Sequence, residues 1–382
     1  MPNGAGAVKE NKVKPVLKYR GGKSREIPHL LPYIPDNFNR YIEPFFGGGA
    51  LYFYLEPGLT SFTLANARNA IINDVNPRLM TFYRQLRDNY PEMRIQLDAL
   101  QQVYEENQAK FAAEFRGRQA ELTPSFRSEG EGVSPSRVPN ANENLYYRMR
   151  ELFNHPDGSY LDGVIYFFIN KTAYSGMIRY NSKGEFNVPF GRYSHLNTEL
   201  VTQQHSDLLQ SAELFSVDYS QIFEMAEKDD FIFLDPPYDC VFNDYGNNEF
   251  DEDEHRRLAA DFRNLTSRTL MVIGKTPLTA ELYKDYICDE YYKKYAVNIK
   301  NRFKNDTMHL VVKNYWPLPA PAPKSERSEG EDVVRAGEYC EPYRRLWHHG
   351  CDGPKLRSHY CYVFPQLRIL CRENSRGDAG LR

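Results

Sequence analysis

The sequence predicts an α/β fold: a mostly parallel sheet covered by helices on both faces, interrupted by an inserted, mainly helical lobe carrying a hairpin. Three observations predict it. Short apolar runs alternate with helical stretches near both ends of residues 16–315, the pattern of strand–helix units. Between about 78 and 210 that alternation gives way to long, charged helical segments. The buried run Phe231–Leu234 stops at Asp235-Pro236-Pro237-Tyr238, where two prolines cannot continue a strand. The chain must leave the sheet there as a rigid, extended turn, at the strand end where open α/β sheets hold ligands.

The chain of 382 residues suits one large domain plus a smaller one. With 41% hydrophobic and 14% aromatic residues it can build a substantial core. Mean hydropathy is −0.65, and no run approaches the roughly 20 apolar residues of a membrane span. The N-terminal MPNGAGAVKENK has no apolar core of a secretory signal, which points to the cytoplasm. The net charge of −3 conceals local basic runs: seven Lys/Arg in residues 9–25 and five in 291–304, which suit phosphate contacts. Of six cysteines, Cys340, Cys351, Cys361 and Cys371 crowd the last 45 residues. Their spacing lacks a C-x2-C pair, so a zinc site is not expected.

In chain order, residues 1–14 read as a disordered leader. Val16–Arg25 reads as a short strand, a Gly21-Gly22 turn and Lys23. IPHLLPYIP is a short helix between prolines. Arg40–Pro44 is a strand entering a glycine turn that opens a helix. Ala70–Val75 is the next strand, and Pro77 is well placed as the first helical residue of Arg78–Asn89. Helix continues over Pro91–Arg118. Residues 123–142, rich in Ser, Pro and Gly, read as a flexible loop. Helix resumes at Asn144–Phe153. The buried run VIYFFIN leads into a hairpin-like region ending at Tyr193. Strands and helices alternate again through Leu214–Asp218, Phe231–Leu234, a helix over Glu249–Asn264 and Thr269–Gly274, and two strands close the body near Tyr291–Ile299 and Thr307–Tyr315. Residues 317–382 read as a linker and a poorly structured tail. Arg127–Glu131 recurs as Arg327–Glu331.

Three stretches carry chemistry. Glu43-Pro44-Phe45-Phe46-Gly47-Gly48-Gly49 joins a strand to a helix, and its glycines permit close approach of a ligand. It is neither a dinucleotide fingerprint nor a P-loop; a tight turn without ligand is the alternative. Asp74, ending the next strand, could bind ribose hydroxyls in a Rossmann-like sheet or cap the following helix. Phe45 and Phe46 could face a cation such as a sulfonium, although core packing suits at least one of them.

Together these residues bring a family into view. LKYRGGK resembles the N-terminal cofactor motif of Dam-like adenine-specific DNA methyltransferases. EPFFGGGALYF resembles their S-adenosylmethionine loop, NDVN their ribose segment and SVDY their adenine-ring segment. NKTAYSGMIRYNSKGEFNVPFGRY resembles their DNA-recognition hairpin, and LDPPY their catalytic motif. The six stand in the family's order across roughly residues 16–315.

The resemblance implies a Rossmann-like methyltransferase domain over 15–77 and 211–316 and a target-recognition lobe over 78–210. Tyr19, Lys23, Phe45, Phe46, Gly47, Gly48, Gly49, Asp74, Asp218, Tyr219 and Asp235 would surround S-adenosylmethionine. Asp235, Pro236, Pro237 and Tyr238 would be catalytic. Lys18, Tyr174, Ser175, Met177, Arg179, Asn187 and Pro189 would contact double-stranded DNA, with Arg179 reading a guanine or holding a phosphate. The site implied is GATC or another GA-containing sequence. No metal is implied, the chain would act as a monomer, and a restriction endonuclease could act beside it. Two departures stand out: Tyr19 where Dam commonly has Trp, and Ser175 where Dam has Asn. A non-catalytic DNA-binding relative and an RNA adenine methyltransferase are the alternatives; neither the glycine loop nor DPPY shows the decay that the first requires.

Overall fold

The computed structural model describes residues 13–19, 21–59, 70–121, 138–176, 178–238, 250–294 and 306–315. Most of the expected leader, most of the 123–142 loop, the tail over 317–382, both copies of the short repeat and all cysteines but Cys288 lie outside the described residues.

The proline-flanked segment forms α1 (Ile27–Leu30) and a 3₁₀ turn. β1 (Tyr41–Glu43), wholly buried, leads through the glycine turn to α2 (Ala50–Leu59). β2 (Ala70–Asn73) precedes α3 (Pro77–Asp88), which starts as its sequence requires: Pro77 takes the first helical position, and Asn76 Oδ1 accepts from the amides of Arg78 and Leu79. Next come α4 (Tyr90–Glu121), α5 (Ala141–Asn154), α6 (Asp162–Thr172) and α7 (Gln203–Leu209), all within the segment 78–210. There follow β3 (Ala212–Phe215), α8 (Tyr219–Glu224), β4 (Phe231–Leu234), α9 (Glu252–Asn264), β5 (Arg268–Gly274), α10 (Pro277–Leu282), β6 (Ile287–Lys294) and β7 (Asp306–Lys313).

The described strands make one seven-stranded sheet, ordered β3-β2-β1-β4-β5-β7-β6. β1 to β5 are parallel, and β7 runs antiparallel to both β5 and β6. From β1 the chain steps outward to β2 and β3, then returns to lay β4 on the other side of β1. That reversal is the switch point where α/β sheets open a crevice. Ile42 is level with Ile232, so the glycine turn after β1 and the Asp235 turn after β4 emerge side by side.

Packing explains the lobe. VIYFFIN lies in α6, which is buried from Gly163 to Thr172, as a helix apolar all round must be. One apolar cluster runs without a break from Ile72 and Phe233 in the sheet through Leu79 and Phe82 of α3 to Tyr166 and Phe167 of α6 and Phe190 of the hairpin. A second cluster, including Ile232, Leu258, Phe262 and Ile273, covers the other face. No helix among the described residues is long and apolar enough to cross a membrane.

Several expectations are corrected. Val16–Tyr19 forms no strand: the Asn170 side chain takes the place of a ladder partner, accepting from Lys18 N and donating to Lys18 O, both at 2.8 Å. Val13 and Lys14, assigned to the leader, are held against the body. Val13 is buried, and Lys14 O lies 2.8 Å from His205 Nε2. α5 begins inside the expected 123–142 loop because Asn140 caps it and buried Asn142 donates to Tyr104 O. β3 and β6 start before the apolar signal does, at Ala212 and Ile287. The hairpin holds by isolated antiparallel bridges at Ala173–Phe190 and Tyr180–Phe186 rather than by a continuous ladder.

Candidate active site

The glycine turn is set by its neighbours. Buried Asn73 donates to Pro44 O and Val217 O, both at 3.0 Å, and accepts from Val217 N at 2.9 Å. One side chain thus ties the carboxyl ends of β1, β2 and β3. Asp74 Oδ2 accepts from Gly47 N at 3.0 Å and Oδ1 from Asn76 N at 2.9 Å. Asn76 is the cap of α3, so Asp74 is left to face the loop. Burial pushes the Asp74 carboxyl above its usual range, against hydrogen bonds from Asn76, Gly47 and Tyr19. Tyr83 Oη donates to Gly47 O, and the Tyr19 ring lies so close over Gly47 that a Cβ there would come within 2.6 Å of it.

Of the two phenylalanines, Phe46 is core. It is 2% exposed and packs edge-on against Tyr83 and Tyr52. Phe45 faces Tyr219 at 5.3 Å and Phe250 at 5.9 Å. Beside this aromatic group, Asp218 caps α8 through Ser220 and accepts from Arg257, which also lies 4.6 Å over the Tyr219 ring. Burial raises the Asp218 carboxyl, and these bonds more than offset it, leaving it below its usual range.

Gly49 (φ +65°) is irreplaceable on two counts: its backbone is left-handed, and a Cβ would meet the Phe46 ring at 2.4 Å. Gly49→Ala is expected to cost roughly 2–4 kcal/mol in urea unfolding. An unchanged midpoint would contradict this geometry.

The Asp235 turn meets the N-terminal motif. Lys23, only 2% exposed, places Nζ 2.6 Å from Asp235 Oδ1, 2.5 Å from Tyr238 Oη and 3.1 Å from Gly21 O. Tyr238 Oη lies 3.3 Å from the same Asp235 oxygen. Oδ1 therefore carries two protein donors, whereas no described donor reaches Oδ2. Asp235 keeps about a fifth of its surface open. Burial raises its carboxyl above the usual range, and the adjoining Lys23 ammonium works against that. The Tyr238 ring rests edge-on against His309 at 5.1 Å and close to Gly274.

The hairpin residues converge on one arm. Lys18 Nζ donates to Lys171 O and sits 3.7 Å from the Tyr193 ring centre. Tyr174 is 55% exposed, and its amide donates to Pro189 O. Ser175 (φ 55°) is left-handed without being glycine, a conformation that Asn tolerates better than Ser. Arg179 Nε donates to Asn187 Oδ1 at 2.9 Å, and Asn187 N donates to Arg179 O. Among the described residues no acceptor meets the Arg179 Nη atoms. Met177 lies outside the described residues.

Residues 19–299 match the family of D12 class N6 adenine-specific DNA methyltransferases. The chain belongs to this family. It is 32% identical over 309 residues to a Type II methyltransferase of Paramecium bursaria Chlorella virus NC1A, spanning 79% of this chain and 100% of that protein. It is 29% identical over 325 residues to a Type II methyltransferase of Methanocaldococcus jannaschii, spanning 79% and 99%. It is 30% identical over 282 residues to a DNA adenine methylase of Haemophilus influenzae, spanning 71% and 83%.

For this adenine-specific DNA methyltransferase, the residues present suit a cationic adenosyl donor. The Asp74 carboxylate and Gly47 meet at the carboxyl ends of β2 and β1, and Phe45 and Asp218 lie beside the buried Tyr219 ring, which places two acids and an aromatic group around the switch point. Sequence reasoning missed Asn73 as the tie between loops, Asn170 as the partner of Lys18, and Arg257 beside Asp218. It also missed a buried cluster of Glu26, Tyr291, Lys293 and His309 behind Lys23. The basic runs around residues 23 and 293 partly serve this interior: Lys23 and Lys293 are tied to carboxylates. No spacing rule finds such contacts, because their partners lie more than 200 residues apart.

Proposed function

We propose that the chain transfers a methyl group from S-adenosylmethionine to N6 of an adenine turned out of double-stranded DNA, at GATC or another GA-containing site. The observation that carries this reading is the half-occupied Asp235 carboxylate at the switch point, beside the glycine turn. Its Oδ1 is held by Lys23 and Tyr238, and its Oδ2 has no protein donor among the described residues.

The exocyclic amine is buried in a duplex, so the base must leave the stack. Its lone pair is delocalised into the ring, which makes it a weak nucleophile. Asp235 Oδ2 and the Pro236 carbonyl accept the two amine hydrogens, which turns the lone pair toward the donor and favours positive charge growing on nitrogen. Pro236 and Pro237 fix the direction of that carbonyl. Lys23 holds Oδ1 in place and works against the rise that burial imposes on the acid. Tyr238 would stack on the turned-out ring. The bound donor would supply a methyl on a sulfonium, whose S–C bond breaks as N6 takes the methyl and leaves the neutral thioether, and Tyr19, Phe45, Asp74, Asp218 and Tyr219 would hold it. The extra proton leaves N6 along its hydrogen bond to Asp235 Oδ2.

The lobe over 78–210 presents the hairpin to DNA. Arg179, anchored through Nε, offers its Nη fork to guanine O6 and N7. Mapping N6-methyladenine in the DNA of a host expressing the chain tests the site. Methylation confined to GATC or another GA-containing sequence is expected; methylation without a neighbouring guanine would overturn the role given to the hairpin.

A further inference from the structure

We infer that Glu26 is a positioning residue for methyl transfer: it ties the Tyr19–Lys23 turn to β6 and β7 and thereby sets both groups that hold Asp235 Oδ1. The inference rests on the proposed role of Asp235.

Glu26 is 6% exposed and accepts three hydrogen bonds. Tyr291 Oη and Lys293 Nζ come from β6, the latter at 2.5 Å; His309 Nδ1 comes from β7 at 3.1 Å. A carboxylate this buried is costly unless its oxygens are paired, as these are. Two routes lead from it to Asp235. In the first, Glu26 fixes Lys293, whose Nζ also donates to Gly21 O at 3.2 Å. That carbonyl is shared with Lys23 Nζ, so the place of Lys293 sets where Lys23 can sit. Gly21 turns its carbonyl inward with φ +80°, a conformation open to glycine. In the second, Glu26 fixes His309, whose ring supports Tyr238 edge-on. Lys23 and Tyr238 are the two donors to Asp235 Oδ1.

The groups facing Glu26 are Lys23 from its own turn, His29 through its contact with the Tyr291 ring, Tyr291 and Lys293 from β6, and His309 from β7. Asp235 and Tyr238 lie beyond Lys23. Burial alone would raise the Glu26 carboxyl. The His309, Lys293 and Tyr291 bonds and the Lys23 charge bring it down to about 2, so it is ionised wherever the enzyme works.

The test separates positioning from simple charge. Removing the Glu26 charge at a fixed geometry would make Asp235 easier to ionise, because Glu26 repels it. Letting Lys23 drift would make Asp235 harder to ionise, because Lys23 is the larger influence. The two move the acid limb of the pH–rate profile in opposite directions. With the full chain at saturating DNA and S-adenosylmethionine, Glu26→Gln is expected to lower the single-turnover rate about tenfold to a hundredfold. It should also move the acid limb to higher pH by roughly one unit. Tyr291→Phe leaves every charge in place and should move the limb the same way by less. A limb that stays or falls in both variants overturns the inference. If Asp235→Ala itself retains transfer, the fault lies instead in the role given to Asp235.

Discussion

Asp235→Ala is expected to bind duplex DNA within about threefold of the parent while its single-turnover methyl-transfer rate falls by a hundredfold to a thousandfold or more. The size follows from position. Asp235 follows β4 directly at the switch point, and its Oδ2 has no protein donor among the described residues. The same change has a structural cost, because Lys23 is almost wholly buried and loses its one ion-pair partner among the described residues. An unpaired buried charge costs about 3–5 kcal/mol, so Asp235→Ala should also melt earlier. Adding Lys23→Met removes that charge, and the double variant should regain much of the stability and none of the activity. Recovery of transfer in the double variant would show that Asp235 serves only to neutralise Lys23.

Arg179→Ala is expected to relax specificity at one base position, losing about 1–3 kcal/mol of discrimination there. Binding to unrelated sequence should change little. Asn187 takes Nε and its amide takes the Arg179 carbonyl, so the side chain is fixed at its root while the Nη fork keeps no described acceptor. A residue built only to meet phosphate needs no such anchoring. Asn187→Ala should produce a weaker version of the same relaxation. Uniform weakening across sequences, with the salt slope reduced by about 1, would make Arg179 a phosphate contact instead.

Much of the sheet and its two central turns was legible in the sequence because β1 and β4 run into prolines or glycines that break a strand. Asp235-Pro236 ends β4, the glycines follow β1, and Asn76-Pro77 announces α3. Each signal is local. Val16–Tyr19 misled because an apolar run reads as a strand whatever pairs with it, and its partner is one asparagine side chain 152 residues away. The start of the ordered chain at Val13 is not legible locally, because Lys14 O is held by His205 of α7, 191 residues away. Glu26 was silent for the same reason. Its partners lie 265 to 283 residues along the chain, and the antiparallel return of β7 beside β5 is what brings them back. Ser175 was legible as a departure from the family but not as a left-handed residue, since serine seldom marks that conformation.

The most direct test of the proposed reaction is to incubate the purified chain with S-adenosylmethionine labelled in its methyl group and to identify the labelled nucleoside. Parallel reactions would contain duplex DNA, RNA of the same sequence, and duplex DNA with the Asp235→Ala variant. Label is expected in N6-methyladenine of duplex DNA alone, and in none of the other reactions. Label in cytosine or in RNA, or undiminished label with Asp235→Ala, would contradict the assignment of Asp235 Oδ2 and the Pro236 carbonyl to an adenine amine.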